Sequence, residues 1–449
     1  MAGGIGRGVG SGILVGLGAW LGISLAAAAQ TLPQDAVDKH LGVNTCSGST
    51  CHGSAAPWRT SDVEQNEYIT WSQKDKHAKA YAALSSERGK RIARNLGIGD
   101  ATKATICLSC HTDYVAEDKR GRNYDMANGV GCEACHGGGE RFLGVHVSGL
   151  GTHADNVKAG MYPTEDPVAR AKLCLSCHFG NSSKFVTHRI MGAGHPRMPF
   201  ELDTFTAIEP AHYRIDDDYK RRKVVANGVK TWAVGQAMQV AAFLDGLVDP
   251  KRDTHGVFPE LVFFDCQACH HAMNTPRWEA RASTGLPPGT PRLNDANLIM
   301  LRVIANRTDP ALGAKLREQT LALHRASTEG TEAMINAAKA LRVTVGDLIG
   351  KFAARNFAKD DMAALLAAVV QDGIQAGDYV DYSGAEQATM ALGTIVAALK
   401  TAGDVDQTQY TALKAALDKC YEATAKDDAY QPRTFVAALQ EVNAAIPKF

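Results

Sequence analysis

The amino-acid sequence predicts a mainly α chain in two unlike parts: a first part with little regular secondary structure, then an all-α helical bundle. Three observations predict it. From about Thr31 to Met273 the chain is rich in Gly, His and Cys and poor in long periodic apolar runs, so its side chains alone cannot build a core. Ten of the 11 cysteines lie in that part as five close pairs, each followed at once by histidine. From Asn294 onward the composition turns to Ala and Leu with apolar residues at helical spacing. At 449 residues the chain exceeds the usual single domain, and the expected boundaries are 1–29, 30–280, 281–293 and 294–449.

Residues 1–29 carry one positive charge, Arg7, an apolar stretch from Ile13 to Leu25, and Ala27-Ala28-Ala29 before Gln30. That order reads as a secretory signal with an Ala-x-Ala cleavage site, which places the mature protein in the periplasm. An uncleaved membrane anchor is the weaker reading, because Gly16, Gly18 and Gly22 dilute a stretch already shorter than the ~20 residues a bilayer needs. Within 30–280, WSQKDKHAKAYAALSS is the best helix, with Trp71, His77, Ala80, Tyr81 and Leu84 on one face. A second helix is expected from Thr231 to Leu247 around Trp232, Met238, Val240 and Phe243.

Residues 281–293, RASTGLPPGTPRL, hold two glycines and three prolines and read as a linker. Beyond it, breaks at Asp309-Pro310, Gly346-Asp347, Lys359-Asp360-Asp361, Gly403-Asp404 and Gln431-Pro432 divide 294–449 into five to seven helices. Met362, Leu365, Leu366, Val369 and Val370 form a core stripe, and His324 reads as a surface or core residue.

The five motifs are CSGSTCH (Cys46, Cys51, His52), CLSCH (Cys107, Cys110, His111), CEACH (Cys132, Cys135, His136), CLSCH (Cys174, Cys177, His178) and CQACH (Cys266, Cys269, His270). Two thiols at this spacing add across the vinyl groups on one edge of a porphyrin, and the next histidine then sits beneath the ring as proximal iron ligand. Neither a structural disulfide nor a redox dithiol requires that histidine. The first motif has four intervening residues, so a plain disulfide between Cys46 and Cys51 competes there, with His52 favouring haem. The reading is five covalently bound haems c, one per about 45 residues, supplying the apolar volume that the side chains lack.

A bis-histidine iron needs a second, distal imidazole, and 15 histidines leave ten outside the motifs. His77 on its helix is the leading candidate, followed by His195 in MGAGHPRMPFEL and His146 shortly after the third motif. His153 and His188 rank next, then His40, His212 and His255. His271 follows a proximal ligand directly and can serve only a neighbouring ring. Met191 and Met198 are alternative ligands that more often serve as packing residues.

These segments resemble the family containing the nitrifier tetrahaem cytochrome c that takes electrons from hydroxylamine oxidoreductase. The resemblance rests on Trp71 to Leu84, GVGCEACHGGGERFLGVH, HRIMGAGHPRMPFEL and FDCQACHHAM, and spans roughly residues 40–275. It implies a helical multihaem cytochrome c domain with haems in close parallel and perpendicular pairs, and distal ligands at His77, His146 and His195. This chain departs by having a fifth site and the helical C-terminal part, and it lacks the Cys-x-x-Cys-Lys site of pentahaem nitrite reductase.

The leading functional reading is electron transfer; the alternative is an oxidoreductase acting on a small nitrogen or sulfur compound at an iron without a distal ligand. A third assigns the bundle to docking on a membrane complex or to homo-oligomerisation, where an exposed Cys420 could form an intermolecular disulfide, although a buried free thiol is the commoner fate of a helical cysteine. Charge is balanced at 48 basic and 48 acidic residues, which excludes a nucleic-acid partner, whereas about ten haem propionates would leave the holoprotein acidic and suit redox donors and acceptors with basic faces.

Overall fold

The computed structural model describes residues 1, 3, 31–59, 63–252, 259–271 and 280–448. It divides into two units, Met1–Thr31 and Leu32–Phe449. The signal expected over 1–29 lies almost wholly outside the described residues, as does His255. The fold is mainly α, with no strands among the described residues, and no helix there is long and apolar enough to cross a membrane.

In the larger unit the motif-bearing part is a succession of short helices. The helix expected over 71–86 is interrupted: Glu67–Lys74 is followed by a 3₁₀ turn at His77–Lys79 and a helix Ala80–Leu84. The cause is Asp75, which is extended (φ −81°, ψ 133°). Its carboxylate accepts from the His77 backbone N–H at 2.8 Å and from His77 Nδ1 at 3.0 Å, offering the backbone a local turn in place of a helical bond.

The second expected helix is Gly228–Val248, with Trp232, Val240 and Leu247 fully buried. It packs against the motif helix Pro167–His178 and against Thr331–Ala354. Seven helices follow residue 294, from Ala296–Thr308 to Pro432–Ala445. Asp309 caps Pro310–Glu329 through its carboxylate, and Pro310 takes the first helical position, where its missing N–H costs nothing. No break occurs at Gly346: Thr331–Ala354 runs through it, since a mid-helix glycine costs only about 1 kcal/mol against the burial of Leu341, Val345, Leu348 and Phe352. The stripe Met362, Leu365, Leu366, Val369, Val370 is buried in the same core, as is His324, which lies 3.2 Å from Asp295.

That core is continuous from Val229 to Val442 and passes through Leu293, so both sides of 281–293 contribute to it. The segment has linker composition, yet Arg281 is 5% exposed and ion-paired with Asp295 and Asp381. Arg292 pairs with Asp381 and, at 2.8 Å, with Asp265, the residue before Cys266.

Candidate haem sites

Each motif sits on a short helix or turn that brings its thiols together. Cys107–His111, Cys132–His136 and Cys174–His178 occupy the last turns of Thr105–His111, Cys132–His136 and Pro167–His178. Residues three and four apart share a helix face there. The fifth motif is a 3₁₀ turn, Cys266–Ala268, closed by His270 N–H bonding the Cys266 carbonyl at 2.7 Å.

The first motif reaches the same closure despite its longer spacing. Residues 47–50 loop out, and His52 N–H returns to the Cys46 carbonyl at 3.1 Å. Gly53 is demanded by this loop, because a Cβ there would lie 1.9 Å from the Ser47 carbonyl oxygen. Cys46 and Cys51 are not disulfide-bonded.

The histidines fall into five pairs. Ring centroids are 5.8 Å apart for His52–His146, 6.4 Å for His111–His195, 6.2 Å for His136–His212, 6.1 Å for His178–His77 and 5.9 Å for His270–His188. Two imidazoles binding one metal ion from opposite sides have centroids about 6.3 Å apart, given a metal–nitrogen bond of about 2.0 Å and a ring nitrogen about 1.15 Å from its centroid. Packed aromatic rings also occur at such separations, so the pattern of partners decides. Every pair joins one motif histidine to one from outside the motifs, and none of the ten is used twice.

Second partners turn four of these rings in the same sense. Nδ1 of His52 bonds Glu67 at 2.9 Å and Nδ1 of His77 bonds Asp75 at 3.0 Å. His111 Nδ1 bonds the Ala80 carbonyl and His195 Nδ1 the Pro196 carbonyl, both at 2.8 Å. Nε2 is thereby left for the space between the rings, the arrangement that fixes tautomer and orientation in metal-binding histidines. Hydrogen bonds to Glu67 and Asp75 raise the pKa values of His52 and His77. Burial pushes His136 down to about 3 and His178 to about 4, so both are neutral and offer a lone pair.

The expected ligands His77, His146 and His195 are thus each placed opposite a motif histidine. His188 and His212 complete the set although the sequence ranks them lower. His188 opens the helix His188–Gly192, seven residues before His195, and that shared segment was the available signal. His212 follows the helix Leu202–Ile208 in an irregular stretch with no periodicity to mark it. His153 is engaged elsewhere, with Nε2 at 2.6 Å from Glu165. His40 is fully buried with both ring nitrogens bonded, to Asp113 and to the Pro33 carbonyl.

Neighbouring motifs touch. The Cys46 and Cys132 thiols are hydrogen-bonded to each other, as are Cys110 and Cys177. Cys135 lies within electrostatic reach of Cys174 and Cys177, and Cys266 within reach of Arg197, two residues beyond His195. Cys110 and the Lys184 ammonium, 3.1 Å from the Cys177 sulfur, hold the Cys177 thiol below its ordinary value. Inside the third motif, the buried Glu133 carboxylate accepts from the backbone N–H groups of Leu41 (2.7 Å), Gly42 (2.6 Å) and Gly139 (2.7 Å). That ties the entry to the first motif onto the third. The paired thiols, facing imidazoles and occupied Nδ1 atoms fit covalent haem c.

Cys420 is fully buried as a free thiol, and burial pushes it up to about 12. It is unavailable for a disulfide between molecules in the folded state.

Residues 45–137 match the family model for cytochrome c554 and c-prime, and residues 98–179 match that for cytochrome c7 and related cytochrome c. These matches support a multihaem c-type cytochrome, with haem-based electron transfer and redox-protein partners. They span the first four motifs and stop short of the fifth and of the helices beyond residue 294. No curated relative and no solved structure matches the chain.

Proposed function

We propose that the chain is an exported, periplasmic electron carrier with five covalently attached haems, each iron held between two imidazoles. The observation that carries this is the pairing: each of the five motif histidines faces a histidine from outside the motifs, and none is left without one. Bound there, c-type haems supply one-electron couples whose potentials the surrounding protein sets. The chain's residues attach and orient them: Cys46 and Cys51, Cys107 and Cys110, Cys132 and Cys135, Cys174 and Cys177, and Cys266 and Cys269 as thioether anchors, with His52/His146, His111/His195, His136/His212, His178/His77 and His270/His188 as axial pairs.

Thiol proximities support the order first, third, fourth, second, and Arg197, within reach of Cys266 and two residues past His195, supports the fifth beside the second, so that neighbours in space are mostly not neighbours in sequence. Such a row suits transfer between a donor and an acceptor at its two ends. Acidic propionates favour partners with basic faces. The link to the nitrifier carrier is supported by the segments that hold His136, His146, His188 and His195. An oxidoreductase needs an iron with an open position, and complete pairing argues against one. The burial of Cys420 likewise argues against disulfide-linked assembly.

Electron paramagnetic resonance on protein whose mass establishes the haem count tests the reading. Five low-spin irons are expected. They should fall in two classes, because ring planes are near-parallel in His52–His146 (17°) and His188–His270 (31°) but near-perpendicular in the other three pairs (86–89°). A high-spin signal equal to a whole haem in the untreated protein would remove the carrier reading in favour of the enzyme.

A further inference from the structure

We infer that Arg197, clamped by Glu386 and Tyr382 of the C-terminal bundle, is a positioning residue that holds the second and fifth haem sites in register with each other. The inference rests on the bis-histidine reading above. It also gives the bundle a part in haem ligation itself.

The need for such a device follows from the local chain. After the helix His188–Gly192 the backbone runs irregularly through His195 to Phe200 before the next helix begins at Leu202. That short stretch carries His195, the partner of His111, and follows directly on His188, the partner of His270. Irregular backbone with few bonds of its own is the part of a fold that opens most readily, whereas a ligand must be held within about 0.5 Å of its working position. The restraint has to come from neighbours.

It comes from two sides. On one, Arg88 Nε donates to the Gly194 carbonyl at 3.0 Å and Asn95 Nδ2 to the Ala193 carbonyl at 2.9 Å. On the other, the helix Tyr382–Ala402 grips the stretch just past the ligand. Arg197 Nη2 donates to Glu386 Oε1 at 2.7 Å, and its guanidinium lies 4.9 Å from the centroid of the Tyr382 ring. Tyr382 Oη sits 3.1 Å from the same Glu386 oxygen and 3.0 Å from the Thr424 carbonyl, closing the triangle. Further along, Gln387 Nε2 donates to the Phe200 carbonyl at 2.9 Å and Thr394 Oγ1 to Asp203 at 2.9 Å.

The same helix end also holds the fifth motif. Gln267, inside Cys-Gln-Ala-Cys-His, accepts from the Tyr382 backbone N–H at 2.9 Å and donates to the Asp427 carbonyl at 2.9 Å. Tyr382 therefore touches Arg197, two residues from one distal ligand, and Gln267, between the two anchoring cysteines of another site. Arg197 closes the loop by lying within electrostatic reach of Cys266. A displacement of the clamp is felt at both sites, and a planar guanidinium stacked on a ring and bonded to a carboxylate suits the task because its geometry is fixed.

The test uses the full-length haem-loaded protein and the variants Arg197→Met, Arg197→Lys, Glu386→Gln and Tyr382→Phe, with His195→Ala as reference. Spin state is read by low-temperature paramagnetic resonance, and an open iron by carbon monoxide binding to the reduced protein. Arg197→Met should gain a high-spin, carbon monoxide-binding component that matches the signal of His195→Ala in character, and Arg197→Lys, which keeps a charge for Glu386 but not the planar group on the Tyr382 ring, should show an intermediate gain. Glu386→Gln and Tyr382→Phe should give smaller gains of the same component, and they carry the test should Arg197→Met fail to accumulate. Unchanged spin state and unchanged potentials at the second and fifth sites in all clamp variants, with His195→Ala showing its signal, would overturn the inference and leave the bis-histidine reading intact. A whole haem already high-spin in the unsubstituted protein would instead overturn that reading and the inference with it.

Discussion

Replacing Asp75 by Asn should raise the reduction potential of the fourth haem site by about 40–85 mV. Asp75 Oδ1 lies 3.0 Å from Nδ1 of His77, the imidazole facing His178, which places the carboxylate charge about 7 Å from the metal position between the two rings. Oxidised iron carries one more positive charge than reduced iron, so the carboxylate favours the oxidised form and its removal favours reduction. At an effective dielectric of about 20 the interaction is worth about 2 kcal/mol. The His77 side chain is 39% exposed, and solvent screening cuts this towards about 1 kcal/mol. For a one-electron couple, 1.4 kcal/mol corresponds to about 59 mV, which gives the range stated. Asn keeps an oxygen that can accept from the His77 backbone N–H, so the turn at Asp75 should survive. Spectropotentiometric titration with the five couples resolved is the assay. No shift at any couple, or a downward one, would show that Asp75 does not act on a ligand of iron.

Glu133→Ala should destabilise the haem-loaded protein by about 2–6 kcal/mol, because the buried N–H groups of Gly42 and Gly139 lose their acceptor at about 1–3 kcal/mol each, with the part-buried Leu41 N–H losing its own as well; denaturant unfolding measures this, and the entry to the first motif should loosen with it. Cys420 should resist a maleimide in the native state and react once the chain is unfolded, as mass spectrometry can follow; labelling of native protein would contradict its burial. Glu201 is pushed up to about 7 by burial, with Asp203 adding to the shift, so the folded state keeps a proton that the unfolded state releases above about pH 4.3. Its contribution is therefore fullest below the unfolded pKa and is lost as pH rises through about 7, and denaturation midpoints should show wild type losing about 2–4 kcal/mol over that window relative to Glu201→Gln.

The turns that bring each motif's thiols and imidazole together were legible in the sequence because they are local, and the spacing writes them into the chain. The histidines that face the motif histidines are brought there by tertiary structure, and they were legible only where local pattern helped. His77 appeared on an apolar face and does face His178, with its side chain 39% exposed, although Asp75 breaks the helix that suggested it. His212 sits in irregular backbone, where nothing within reach of a sequence window says that His136 lies opposite. Gly346 gave a stop signal that burial on both sides of it overrode. In 281–293 the glycines and prolines described the backbone correctly but not the fate of Arg281 and Arg292, since a buried ion pair is decided by carboxylates that arrive from Asp265, Asp295 and Asp381.

Those ion pairs bear on what the bundle does. Buried pairs seldom add net stability over well-packed apolar side chains, and removing one partner is what costs, at about 3–5 kcal/mol. Stability alone therefore gives little reason to bury two arginines and three aspartates where the chain leaves the fifth motif. Register gives a better one. Asp265 adjoins Cys266, and Arg292 joins it to Asp381, the cap residue of the helix that carries Tyr382 and Glu386. A slip between the motif and that helix would strand charges in an apolar core, a penalty that apolar packing alone does not impose. The same helix thus fixes the fifth motif through Asp381 and Gln267 and the distal segment through Glu386. On the proposed haem reading, the helices behind residue 294 supply the frame against which two of the five facing histidine pairs, His111–His195 and His270–His188, are set.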